Sequence, residues 1–334
     1  MKEHLNTQPL ISVVMATYNG EKFIAEAIQS ILDQTYKNFE FLIVDDGSTD
    51  RTQEIIRGFR DHRIRYIKKE ANTGIADSLN KGIAQAQGTY IARMDDDDVS
   101  FPHRLERQLE VFANDNQIIF CGTSVEDING KTLGTPSQHE DISLKLVFSN
   151  PIFHPTVMIP REILLLERYN PNAVPSEDYD LWSRLIFKGK FHQLEEALLY
   201  CRIHQTSVTA NRRKEQLVRN IPIAQYIHKK LGILTHPEQD DLLRAFTEHD
   251  YTINGIELRS LVSWFEKLKK GNADKRIFDK EKFDSLSQRQ LEGFLISYFI
   301  NRKIVEKIGP FIFLPIKYKI KILNYYLKKN KEVT

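Results

Sequence analysis

The chain has little cysteine: Cys121 and Cys201 are its two, with no C-x-x-C and no zinc-type spacing between them. This argues against a disulfide framework and a structural zinc site, and fits two buried structural thiols in a reducing compartment. Long apolar runs are also missing. No stretch approaches the roughly 18 consecutive apolar residues of a membrane span, and residues 1–9 are polar, without the apolar centre of a signal peptide. The expectation is a cytoplasmic protein that does not cross a membrane. An excess of charge is absent too. Forty-seven Lys and Arg face forty-five Asp and Glu, a net charge of +2, so no global field points to nucleic acid. Finally, no G-x-G-x-x-G and no G-x-x-x-x-G-K-[ST] is present to cradle phosphate on backbone amides.

What remains is ordinary globular material. With 334 residues, 41% hydrophobic and 28% charged, the chain can build one large core or a core with an appendage. Leu10 to Ala16 is a continuous, partly β-branched apolar run of the kind buried on both faces of a parallel sheet. It ends in the turn Thr17-Tyr18-Asn19-Gly20. Phe23, Ile24, Ala27, Ile28, Ile31 and Leu32 then recur at helical spacing, predicting a helix from Glu21 to about Gln34. Phe39 to Val44 reads as a second buried strand, stopping at Asp45-Asp46-Gly47-Ser48. Asp50, with Gln53 three residues on, reads as the cap of a helix reaching about Phe59. Ile64 to Ile67 predicts a strand, Ala76 to Ala86 a helix and Tyr90 to Met94 a strand; Pro102 then precedes a helix carrying Leu105, Leu109 and Phe112. The alternation is that of a doubly wound α/β sheet.

The last of these strands runs into Asp95-Asp96-Asp97-Asp98. Alone, such a run is ordinarily a solvated loop. Here it stands at a strand end, as do Tyr18-Asn19 and Asp45-Asp46, and ligands of open α/β sheets bind beyond the carboxyl ends of strands. Asp45-Asp46-Gly47 by itself is a capped turn. Together the acidic strand ends predict an all-oxygen site for Mg²⁺ or Mn²⁺ and a nucleotide diphosphate.

Five segments in order, Ile11 to Gly20, Ile43 to Asp50, Asn72-Thr73-Gly74 with Leu79 to Gly82, Gly88 to Asp98 and Ser176 to Leu185, resemble the successive motifs of glycosyltransferase family 2. The resemblance covers residues 10 to about 208. It implies the Rossmann-like glycosyltransferase A fold, mostly parallel and flanked by helices, and inverting transfer from a nucleotide-sugar donor. The run then matches the family's D-x-D motif, with a third aspartate where the middle residue is usually small. The resemblance carries Asp95 and Asp97 over as metal ligands and Asp95 and Asp96 as donor contacts. It places Tyr18 on the nucleotide base, against the alternative of a core tyrosine, and Asp46 on the base or ribose. Thr17, Asn19, Asp45, Asn72 and Asn80 would line the donor crevice. Arg93 would line it too, or serve as counter-ion to the acids. His204 matches a segment in which a histidine completes the metal shell.

An inverting transfer needs a base for the acceptor hydroxyl and a stabiliser for the departing diphosphate. The resemblance makes Asp178 the base, with Glu177 beside it. Ser176 reads as the cap of their helix, and the alternative is that both acids only complement its dipole. His154, in Phe153-His154-Pro155-Thr156, reads as a core or lining histidine.

The division expected is residues 1–210 as catalytic domain, with a nucleotide-sugar half at 8–110 and an acceptor half at 111–210, and 211–334 as a helical region. Its last segment, 311–331, is basic, aromatic and amphipathic. It predicts either peripheral contact with an anionic membrane, suiting a saccharide or lipid-linked acceptor, or a terminal helix packed on the appendage. A uridine donor and a role in surface polysaccharide synthesis follow from family habit alone. Two other readings compete. Asp95 to Val99 also fits the D-x-D-x-[TV] nucleophile motif of haloacid-dehalogenase phosphatases, although that motif normally follows a first strand. The second is a non-catalytic nucleotide-sugar binding protein. Oligomeric state leaves no signature.

Overall fold

The computed structural model describes residues 8–202, 212–233, 237–248, 251–301 and 304–331. The chain forms two compact units, one of residues 1–142 with 150–216, the other of 143–149 with 217–334. The first unit holds a mixed sheet. In chain order its strands are β1 Ile11–Thr17, β2 Phe39–Asp45, β3 Ile64–Lys68, β4 Tyr90–Met94, β5 Val99–Ser100, β6 Ile118–Glu126, β7 Thr132–Leu133, β8 Met158–Pro160 and β9 Lys190–Tyr200. Among the described residues they pair in the order β3-β2-β1-β4-β8-β6-β9-β5, with β7 on β6.

The doubly wound half is as the apolar runs predict. β1 lies between β2 and β4, all parallel, with Ile11 beside Phe39 and Tyr90, and β3 adds a further parallel strand. Every residue of β2 is buried. Such burial is worth roughly 1.5–3 kcal/mol per large apolar side chain before entropy is subtracted. Helices α1 Ile24–Leu32, α2 Thr52–Gly58, α3 Ile75–Gln85 and α4 Arg104–Asn114 join the strands. α3 lies so close to the sheet at Gly82 that an added Cβ would stand 2.6 Å from Val14. The parallel pattern then stops. β8 is antiparallel to β4 and β6, while β9 runs parallel to β6.

Predicted helix ends shift for local reasons. α1 begins at Ile24, because Gly20 C=O first accepts the Phe23 and Ile24 amides as a turn. Arg51, not Asp50, occupies the N-cap of α2. Asp50 still acts just ahead of it, its Oδ1 accepting the Thr52 amide at 3.0 Å and its Oδ2 the Glu21 amide.

The first unit continues with α5 His139–Leu146, which runs across the boundary between the units, α6 Arg161–Leu166 and α7 Glu177–Leu185. The second unit contains α8 Arg213–Lys230 from Leu217 onward, α9 Pro237–Thr247, α10 Gly255–Lys275, α11 Lys280–Ile300, α12 Ile304–Phe313 and α13 Ile316–Lys331. Phe148, Phe246, Trp264 and Phe265 cluster in its core, Phe148 stacked on Phe265, with Trp264 edge-on to Phe148 and Phe246 edge-on to Phe265. The predicted terminal helix is two helices, broken at Leu314 and Pro315, since proline cannot donate to the preceding turn.

Candidate active site

The ends of β1, β2 and β4 converge as the sequence predicts, but many of the named side chains hold the loops rather than face solvent. Asp45 is buried. Its Oδ1 accepts the Ser48 amide at 2.8 Å and its Oδ2 the Tyr66 hydroxyl at 2.6 Å. Both oxygens of Asp46 are engaged too, by the Thr73 and Gly74 amides at 3.0 and 2.8 Å and by Lys69 Nζ at 2.6 Å. Asp46 thereby fixes the loop that presents the exposed Asn72. Asn19, in the left-handed region at φ 54°, donates its amide to Ser48 Oγ and accepts the Thr49 amide, each at 2.9 Å. Asn80 clamps the Tyr169 backbone through Nδ2 and Oδ1. Tyr18 is 48% exposed and so is no core residue.

The acidic run separates into two parts. Asp96 accepts the Thr17 hydroxyl at 2.5 Å. Asp95, Asp97 and Asp98 each offer a carboxylate oxygen, and these lie within 4.8 Å of one another. Burial and the charges of its neighbours push Asp96 up to about 7. Asp95 is raised, first by desolvation and then by Asp97, although Arg93 pulls the other way. Asp98 stands well above the usual carboxylate range, for burial and for Asp95 and Asp97. Three oxygen donors held together against their own repulsion form a hard donor set that fits Mg²⁺ or Mn²⁺.

Positive charge lies beneath them. Arg93 is buried and ion-paired to Asp95, the counter-ion arrangement foreseen as one of its two roles. Arg104, also buried, donates Nη1 to the carbonyls of Arg93 and Pro155. Where the chain leaves β9, the Arg202 amide donates to Asp98 Oδ1 at 2.9 Å. His204, two residues further on, lies outside the described residues.

Glu177 and Asp178 open α7. Ser176 occupies the N-cap without a capping bond from its side chain; its hydroxyl lies 3.4 Å from the Gln216 carbonyl instead. Asp178 Oδ1 accepts the Tyr179 amide and Oδ2 accepts Asn150 Nδ2, both at 2.7 Å. Burial raises Asp178, and burial with the charge of Asp178 raises Glu177. Glu177 Oε2 is buried and has no hydrogen-bond partner among the described residues. Arg93 favours the ionised form of both acids while Asp95 disfavours it at Glu177, so the two acidic groups share one electrostatic environment. His154 is buried among this lining, 2.8 Å from the Tyr169 hydroxyl through Nε2, and burial keeps it neutral.

Asp98 belongs to the acidic run in which the sequence leaves the choice of ligands open, whereas Asn150 and Arg104 are not signalled by any motif. Asn150 lies 28 positions before Asp178 and carries no local signal.

A parallel α/β half followed by antiparallel pairing, with an acid cluster at the end of the fourth strand, is the arrangement of the glycosyltransferase A fold. The model of glycosyl transferase family 2 matches residues 12–176. The chain is 39% identical over 220 residues to the uncharacterized glycosyltransferase MJ1057 of Methanocaldococcus jannaschii, covering 63% of this chain and 76% of that one. It is 35% identical over 210 residues to the O-antigen biosynthesis glycosyltransferase WbnJ of Escherichia coli, covering 59% and 81%. Residues 1–349 of S. aureus TarS, solved with UDP-GlcNAc, share the fold at a TM-score of 0.57 and 17% identity, covering 85% of this chain and 92% of that one. The chain belongs to glycosyltransferase family 2 and is a glycosyltransferase, which sets aside the phosphatase and the purely binding readings.

Proposed function

We propose that the chain moves a sugar with inversion from a nucleotide-sugar, a UDP-linked one, to a hydroxyl of a saccharide or lipid-linked saccharide in surface polysaccharide synthesis. The carrying observation is that the Asp95, Asp97 and Asp98 oxygens gather within 4.8 Å of one another after β4, with Asp95 ion-paired to the buried Arg93. The family relatives support the class, WbnJ the polysaccharide role and TarS the uridine donor.

Asp95, Asp97 and Asp98 would hold the divalent cation, and when bound it supplies positive charge for the departing diphosphate. Tyr18 offers a ring face to the base at the edge of the crevice. The acceptor oxygen attacks the anomeric carbon, the bond from that carbon to the diphosphate oxygen breaks, and the hydroxyl proton passes to Asp178. Asn150 and the Tyr179 amide hold that carboxylate in one orientation. Its elevated pKa makes it a better proton acceptor than an exposed aspartate while leaving it ionised above neutrality. Glu177, with one oxygen unpartnered, is placed to accept a second hydrogen bond from the acceptor.

The test is release of nucleoside diphosphate across a panel of nucleotide-sugars, with Mn²⁺, Mg²⁺ or EDTA. Metal-dependent turnover of a UDP-sugar, enhanced by a saccharide acceptor, is expected. Equal turnover in EDTA would remove the metal, and preference for another nucleotide would remove the uridine assignment.

A further inference from the structure

The terminal helix α13 has two apolar stripes on opposite sides. Tyr318 and Ile322, with Leu314 just ahead, are buried within the helical unit, and the Tyr318 hydroxyl lies 3.3 Å from Gln288 Oε1. The packed alternative is therefore realised on this side. On the other side Ile316, Ile320 and Leu323 recur at i, i+4 and i+7 and are 75%, 52% and 52% exposed. Ile312 and Phe313 of α12 are exposed as well. Ile256, also exposed, follows Gly255, whose position abuts Pro310 and Phe313. Single exposed apolar residues are ordinary, but a contiguous group marks an interaction surface.

Charge identifies the occupant. Residues 311–331 contain six lysines and no acid. Lys317 and Lys321 pair with Glu266 and Glu292, and Lys319 Nζ donates to the Ile312 carbonyl, so the segment stays positive. Protein interfaces are depleted in lysine, and a second copy would set like charge against like. We propose that this outward stripe lies in the surface of an anionic bilayer, its isoleucines and leucine in the acyl boundary and its lysines at the headgroups. No described helix is long and apolar enough to cross a membrane, so the contact is in the plane.

The experiment is co-flotation of the full chain with vesicles of phosphatidylcholine, alone or mixed with phosphatidylglycerol. Binding to the mixed vesicles is expected, weakening as salt screens the lysines. Combined Ile316→Asn, Ile320→Asn and Leu323→Asn should lower the bound fraction at least about tenfold with thermal unfolding little changed, because these side chains are half to three-quarters exposed. Should the triple variant aggregate, Ile320→Asn alone is expected to lose several-fold. Absent flotation with anionic vesicles, equal flotation of parent and variant, or a dimer by light scattering that the substitutions dissolve would each overturn the proposal.

Discussion

The hydroxyl of Thr17 donates to Asp96 Oδ2 across 2.5 Å and ties the end of β1 to the acidic run after β4. Gly20 lies in the same corner, where a Cβ would meet Asp96 Oδ2 at 2.4 Å. Thr17→Val keeps the volume and removes the donor. It should destabilise the fold by roughly 1 kcal/mol, since the acceptor it leaves unpaired is only partly buried, and weaken donor binding. Urea unfolding and calorimetric titration of UDP measure the two effects; unchanged values in both would show the contact to be incidental.

Asp178→Asn should keep donor affinity and lower transfer by about 10² to 10⁴-fold, the range of a lost general base. Undiminished turnover would sink the assignment.

Asp178 is raised to about 6, chiefly by burial. The ionised form is the active one, so kcat/KM should fall as pH drops through about 6, whereas an ordinary aspartate, near 3.9, would hold activity lower. Asn150 stabilises the ionised form. Asn150→Ala should therefore move the acid limb to higher pH, a change that a merely structural loss would not produce.

Asp98 carries a raised pKa because burial and Asp95 and Asp97 disfavour its charge. A carboxyl raised in the folded state binds its proton more tightly there than when unfolded. Its stabilising contribution is full below the unfolded pKa near 4 and is lost as pH rises toward the folded pKa. In EDTA, Asp98→Asn should therefore be more stable than the parent at pH 8, with the difference closing as pH falls toward 4. Mn²⁺ should raise the melting temperature of the parent and not of the variant. Equal Mn²⁺ shifts would remove Asp98 from the cation site.

Tyr18→Ala should leave stability within about 0.5 kcal/mol, since the ring is half exposed. Loss of base stacking, roughly 1–3 kcal/mol, should raise KM for the donor with kcat nearly kept. A fall in kcat at constant KM would place the ring elsewhere.

The sequence by itself determined the succession of β-α units and where their strands stop. A parallel strand covered on both faces must be an unbroken apolar run, and charge or glycine ends it; Tyr90–Met94 is legible to the residue for that reason. It also named the acidic stretches that converge, because strand ends of one parallel sheet share an edge. Only the tertiary structure decided which acids act together. Successive side chains at a strand end point in different directions, so Asp96 turns to Thr17 while Asp95, Asp97 and Asp98 gather. The same holds for Asp46, whose oxygens hold Lys69 and a loop, and for Asn150, which reaches Asp178 only because the fold brings separate segments together. Composition and spacing record which groups are present at a site; their partners are set by packing between residues far apart in the chain.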